Sequence, residues 1–296
     1  MRRLLVFSVA GLLALAGPVA GATGASAAPP STVPGLPVHL ALGDSVAAGV
    51  GAGATEEERR RFGYVGLLHE HLRAGLDCVP AASARPSVGC EQLQLVDESV
   101  GGATTTTLIA SQLPVARAVL AARNADANPR NDVEVVTVTI GGNDLFGPVV
   151  TACIAPVPPD AAGCASTISQ VFRTVDTNLR VILGELRWTA GPDTDIVVMT
   201  YYNPLPGCFL APFSALADVV LEGGSVPGLP PLAVGFNDVI RGVAAEKDVL
   251  VADTYGTLST EDLVGGADCL HPDASGHAII ADAFAETLGV PVGPAG

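Results

Sequence analysis

The sequence predicts an α/β protein: a three-layer α/β/α sandwich built on a mostly parallel, doubly wound, flavodoxin-like sheet of five strands. Two observations carry this expectation. Five short runs rich in apolar and β-branched residues alternate with longer segments whose apolar residues recur at helical spacing, which is the pattern of βαβ units. The run Val133–Ile140 is also almost wholly apolar, as a strand covered on both faces requires.

The elements follow in order. Val38–Leu42 is the first strand, and Phe62–Leu76, with Val65, Leu68, Leu72 and Leu76 on one face, is a helix. Leu93–Val96 is the second strand. Thr107–Ala122 is helical with a break expected near Pro114, because proline removes a helix hydrogen bond. Val133–Ile140 is the third strand, Val171–Leu186 a helix and Asp195–Tyr201 the fourth strand. Leu232–Ala245 is a helix, Val249–Asp253 the fifth strand and Ser275–Leu288 the last helix. Right-handed crossovers then place functional residues at the carboxyl ends of the strands.

Composition narrows the class further. Hydrophobic residues make up 49% of the 296-residue chain and charged ones 15%, which excludes a disordered or coiled-coil protein. No solenoid-length repeat is present. Residues 1–27 read as a secretory signal peptide: Arg2 and Arg3, a short apolar run, then Ala25-Ser26-Ala27 as a cleavage site. The apolar run is shorter than the roughly 20 residues a spanning helix needs. A Pro-rich leader over 28–37 and a single domain over 38–296 follow. The expectation is a secreted, extracellular monomer with no membrane span. Without the two signal arginines, 13 basic residues face 30 acidic ones, a formal charge of −17, which repels nucleic acid.

Six cysteines suit export and suggest disulfides. Fifteen pairings are possible; spacing favours Cys78 with Cys90 and Cys153 with Cys164, leaving Cys208 with Cys269. Neither C-x-x-C nor H-x-x-x-H occurs, so no zinc site is expected.

Four short motifs each follow a strand. Gly43-Asp44-Ser45 can open a helix whose free N–H groups favour negative charge, or be an ordinary cap. Gly101-Gly102-Ala103-Thr104 can bring backbone N–H groups close to a reacting atom. In Gly141-Gly142-Asn143-Asp144, Asn143 offers the side-chain NH₂ that stabilises an oxyanion, although Asn and Asp after two glycines also make turns. In Asp268-Cys269-Leu270-His271-Pro272, Asp268 can hold one ring nitrogen of His271 and leave the other as a base. His39, His69, His71 and His277 are expected to be structural or exposed. Together the four motifs supply every role acyl transfer requires.

In this order the motifs resemble the four blocks of SGNH (GDSL) hydrolases, from about Val38 to Leu288. The flanking Ala47-Ala48-Gly49, Gly276-His277 and the six cysteines are most similar to the secreted actinobacterial esterase and lipase branch. The resemblance implies Ser45 as nucleophile, His271 as general base and Asp268 as its orienter. It implies an oxyanion hole of the Ser45 and Gly102 backbone N–H groups and the Asn143 side chain. It also implies a small-molecule or lipid ester as substrate, with no metal and no cofactor. Val46 stands where the family name has Leu, and Asp97 where the second block often has Asn, which makes Gly101 a rival to Gly102. Deacetylation of an extracellular polysaccharide and non-catalytic surface binding are the alternatives. Against the first, aromatic residues total only 4%, and the apolar stretch from Tyr202 to Val234 reads either as a core helix with loops or as an acyl-binding wall.

Overall fold

The computed structural model describes residues 35–75, 92–125, 127–156 and 160–292. The expected signal peptide, most of the leader and the Cys78–Cys90 pair lie outside the described residues.

Five parallel strands form one sheet: β1 (Val38–Gly43), β2 (Gln94–Asp97), β3 (Val133–Thr139), β4 (Asp195–Met199) and β5 (Leu250–Ala252). Their order is β2-β1-β3-β4-β5, the flavodoxin-like arrangement with its switch point between β1 and β3. Every residue of β1 is buried, as is all of β3 except Glu134, so helices must cover both faces. Helices α2 (Tyr64–Gly75) and α8 (Ala274–Thr287) pack together on one side. On the other, α3 (Thr105–Asn124), α5 (Ala161–Ala190) and α7 (Phe236–Glu246) lie side by side. Shorter helices α1 (Glu56–Phe62), α4 (Gly142–Val149) and α6 (Ser214–Glu222) complete the chain.

Two local expectations are corrected. Helix α3 runs unbroken through Pro114. Both Pro114 and Ala110, whose carbonyl loses its partner, lie on the exposed face, where water can satisfy that oxygen. The opposite face buries Leu108, Leu113, Ala116 and Leu120, and that packing carries the helix through the gap. Nor does Ser45 open a regular helix: residues 45–51 form consecutive turns. Gly51, at φ +98°, has the Pro272 carbonyl where a Cβ would sit, 2.0 Å away, so only glycine lets this turn lie against the loop after His271.

Helix α5 is longer than its apolar stripe predicted, at 30 residues. It begins where Asp160 caps Gly163 N–H at 3.0 Å, and Cys164 and Ile168 extend the buried stripe back to that cap.

Two histidines are built into the core as neutral rings. His277 accepts from Tyr64 N–H at 3.2 Å and, through Nε2, donates to the Val50 carbonyl at 3.0 Å. Burial pushes its pKa down to about 4. His39 in β1 contacts Thr137 Oγ1 at 3.2 Å, and burial lowers it to about 3.

The unfolded chain takes up a proton at His277 near pH 6.5, the folded one only near 4. The His277 contribution is therefore complete above pH 6.5 and lost as pH falls from there to 4. Half-buried Glu134, pushed up to about 7 by that burial, then by Asp132 and Asp195, acts with opposite sign, so the useful quantity is a difference. The stability gap between wild type and His277→Gln, from urea unfolding, is expected to shrink between pH 7 and pH 4 by on the order of 3 kcal/mol. A gap independent of pH would contradict the neutral buried ring.

Candidate active site

The carboxyl edge of the sheet brings together residues that are far apart in sequence. The turn after β1 presents Ser45, and the loop before α8 presents His271. Ser45 Oγ and His271 Nε2 are 2.8 Å apart, across 226 positions of sequence. His271 Nδ1 is 2.8 Å from Asp268 Oδ2. A carboxylate only accepts, so Nδ1–H donates to Asp268, and Nε2 is left to accept from the Ser45 hydroxyl. Partial burial raises the Asp268 carboxyl, but bonds from the ring and from the Leu270 and His271 N–H groups outweigh it and hold the group below the usual carboxylate range. Asp268 thus orients the imidazole through both its ring and its backbone.

That loop is fastened on three sides. Cys269 is disulfide-bonded to Cys208, which follows β4. Phe209 N–H donates to Gly266 and Gly266 N–H to Gly207, so the two segments also pair through backbone. The Tyr202 hydroxyl donates to the Leu270 carbonyl at 2.7 Å. Sequence reading placed the disulfide correctly. It missed Tyr202, whose only signal was its position just past a strand end.

Asn143 sits in the first turn of α4, directly after β3. Its Nδ2 donates to the Ala103 carbonyl at 2.9 Å, which fixes the amide and leaves its second hydrogen for another acceptor. Beside it, Asp144 accepts from both the N–H and the hydroxyl of Thr105, at 2.8 and 2.7 Å, locking the start of α4 to the start of α3. Gly101 and Gly102 are both exposed in the turn before Ala103; of the two, Gly102 takes the left-handed conformation, φ +79°. The second disulfide, Cys153–Cys164, ties the π-turn Val150–Ile154 after α4 to the start of α5.

Ser45, Asn143 and His271 open onto a cleft of about 810 Å³, part of it open to solvent. Its wall is overwhelmingly apolar. Leu145, Phe146, Val149, Val150 and Ile154 form one side, from α4 and the π-turn; Leu205, Phe213, Leu216, Val220 and Leu221 form the other, from the segment after β4 and α6. The stretch from Tyr202 to Val234 therefore supplies a wall of the cleft. The α4 contribution was not foreseen, although its apolar residues recur at helical spacing directly after Gly142-Asn143-Asp144.

The parallel sheet thus brings a serine, an imidazole and a carboxylate into line at its carboxyl edge. Residues 41–279 match the GDSL-like lipase/acylhydrolase family; the chain belongs to that family and is a carboxylic ester hydrolase. Among solved structures it is similar to the lipase Lip_vut3 from a goat rumen metagenome. Identity is 18%, over 84% of this chain and 96% of that one, with a TM-score of 0.54. It is also similar to the acetylxylan esterase Axe2 of Geobacillus stearothermophilus. There, identity is 20%, over 86% of this chain and 94% of that one, with a TM-score of 0.51. At these identities the likeness concerns the fold. No curated protein matches the chain.

The Cys208–Cys269 bridge spans 61 positions, and such bridges typically contribute about 2–4 kcal/mol. Its effect on the imidazole is of comparable size, since a shift near 1 Å costs about 10²-fold in rate. Cys208→Ser with Cys269→Ser is expected to leave a folded protein of lower melting temperature and to cut kcat on a soluble ester by about 10²-fold. An unchanged kcat would show that hydrogen bonds alone hold the loop.

Proposed function

We propose that this protein is a secreted esterase or lipase, akin to the secreted actinobacterial branch of its family, that hydrolyses carboxylic esters through an acyl-enzyme on Ser45. The observation that carries the reading is the unbroken chain Ser45–His271–Asp268, with both links at 2.8 Å, at the mouth of an apolar cleft. Export is supported by two disulfides and by the basic, then apolar, then small-residue pattern of residues 1–27. Among the described residues no helix is long and apolar enough to cross a membrane. All of the groups invoked come from one chain, in keeping with a monomer.

In the first half-reaction Ser45 Oγ bonds to the acyl carbon as its proton passes to His271 Nε2. The carbonyl electron pair moves onto oxygen, where the second hydrogen of the Asn143 amide and the Ser45 and Gly102 N–H groups serve as donors. Collapse expels the alcohol, which takes the proton from Nε2. Water then repeats the sequence on the acyl-enzyme, with His271 again accepting the proton. Asp268 stays ionised and holds the ring throughout.

Ser45→Ala and His271→Ala are each expected to remove nearly all turnover, with the double variant little worse than either, since both serve one proton transfer. Asn143→Ala is expected to lower kcat by about 10²–10³ while KM changes little. Steady-state kinetics on folded variants checks this; substantial activity in Ser45→Ala would sink the mechanism. No step draws on a metal, so EDTA is expected to leave rates unchanged.

The apolar walls favour an acyl chain over acetate. Across p-nitrophenyl esters of rising chain length, kcat/KM is expected to climb from acetate into the medium-chain range, with about 0.8 kcal/mol gained per CH₂ buried. A maximum at acetate would instead favour the deacetylase reading, and no turnover of any ester a binding protein.

A further inference from the structure

Asp44, immediately before the nucleophile, is 2% exposed. Its carboxyl has two hydrogen-bond partners: the Tyr201 hydroxyl, donating to Oδ2 at 2.7 Å, and Val46 N–H, donating to Oδ1 at 3.0 Å. A buried carboxylate is costly unless a cation or several donors face it. Among the described residues neither lysine nor arginine pairs with Asp44; the cation-forming group acting on it is His271. Burial pushes the Asp44 carboxyl up to about 6, against the bonds from Tyr201 and Val46 and the attraction of His271. Both carboxyl oxygens accept a hydrogen bond, the pattern that suits the ionised form.

The structure invests heavily in the Tyr201 hydroxyl. The Tyr201 N–H and carbonyl are both held by the Asn237 side-chain amide, each at 2.8 Å, and Asn237 is braced by Glu222 at 2.6 Å. The Tyr201 ring lies over Gly142, where a Cβ would come within 2.8 Å of it. Glycine beside Asn143 thus makes room for a tyrosine whose hydroxyl reaches Asp44. A turn held by the Asp44–Val46 bond alone would need none of this.

We propose that Asp44, held by Tyr201, is a positioning residue that acts through His271: its buried negative charge stabilises the imidazolium formed while Ser45 is attacking the ester. Asp44 takes up no proton in the reaction. Before the proton moves, its charge has no full cationic counterpart; once His271 is charged, it has one. The stabilisation therefore belongs to the transition state and not to the bound substrate, which is what raises kcat. Asp268 orients the ring, and Asp44, next to the nucleophile and lining the same cleft as His271, supplies a second field. The inference rests on the Ser45–His271 reading of the site.

The surrounding titratable groups define the test. Asp44 is faced by Tyr64 from α2, by Tyr201 and Tyr202 after β4, and by His271. His271 is faced in turn by Asp268 and by His277 of α8. Asp44→Asn keeps the shape and the acceptor for Val46 N–H while removing the charge. In that variant kcat on p-nitrophenyl butyrate is expected to fall about 3–10-fold with KM within about twofold, and the NMR titration midpoint of the His271 ring to drop by about half a unit to one unit. Tyr201→Phe keeps the charge but removes a donor to it. Asp44 then stays protonated to higher pH, so the acid limb of kcat/KM is expected to move upward while the rate at high pH approaches wild type. An unmoved His271 midpoint in folded Asp44→Asn overturns the proposal and leaves Asp44 a turn residue. If Asp44→Asn does not fold, an unmoved acid limb in Tyr201→Phe overturns it equally. The NMR midpoint needs no substrate. Absence of ester turnover in wild type would therefore defeat the functional reading, while the ring titration still decides the role of Asp44.

Discussion

The bond between Ser45 and His271 joins two loops 226 residues apart, and most of the architecture at the carboxyl edge of the sheet serves to keep those loops in register. The turn after β1 can approach the His271 loop because Gly51 leaves space for the Pro272 carbonyl. The loop itself cannot drift, since a disulfide, a backbone pairing and the Tyr202 hydroxyl each hold a different point of it. A hydrogen bond that must form at 2.8 Å in every molecule requires both of its ends to be held independently, because the bond alone is worth only about 1 kcal/mol net.

Beneath this edge the core departs from a purely apolar packing. Gln112 of α3 is buried and pairs its amide with both the N–H and the carbonyl of Gly43, each at 2.8 Å. Tyr64 meets Thr139 in the same layer, and Asp44 meets Tyr201. Each satisfies a polar group that would otherwise be orphaned where the strand ends and the turn begins. An exposed turn would be hydrated and mobile. This one is buried, so it is fixed by side chains from α2, from α3 and from the segment after β4.

The cleft has a comparable logic. Its two walls come from segments inserted after β3 and after β4, each braced by its own disulfide: Cys153–Cys164 for the π-turn and Cys208–Cys269 for the segment beyond β4. These wall residues pack into small apolar clusters behind the cleft but lack partner atoms on the cleft side, and the covalent ties add to that partial packing.

Legible in the sequence alone were the fold class, the five strands, the motifs that carry Ser45, Asn143, Asp268 and His271, and the Cys153–Cys164 and Cys208–Cys269 pairs. These are local signals: strand periodicity, short motifs just past strand ends, and cysteine spacing. Pro114 shows where local signals fail, since the packing of one helix face outweighed a missing hydrogen bond on the other. The Asp44–Tyr201 pair, the Gln112 clamp, the Tyr202 brace and the α4 wall emerged only in three dimensions. Asp44 and Tyr201 are 157 residues apart and Gln112 lies 69 from Gly43. No periodicity or spacing rule links residues so distant. Only the order in which the strands lie side by side decides which strand ends meet, and therefore which buried polar groups can satisfy one another.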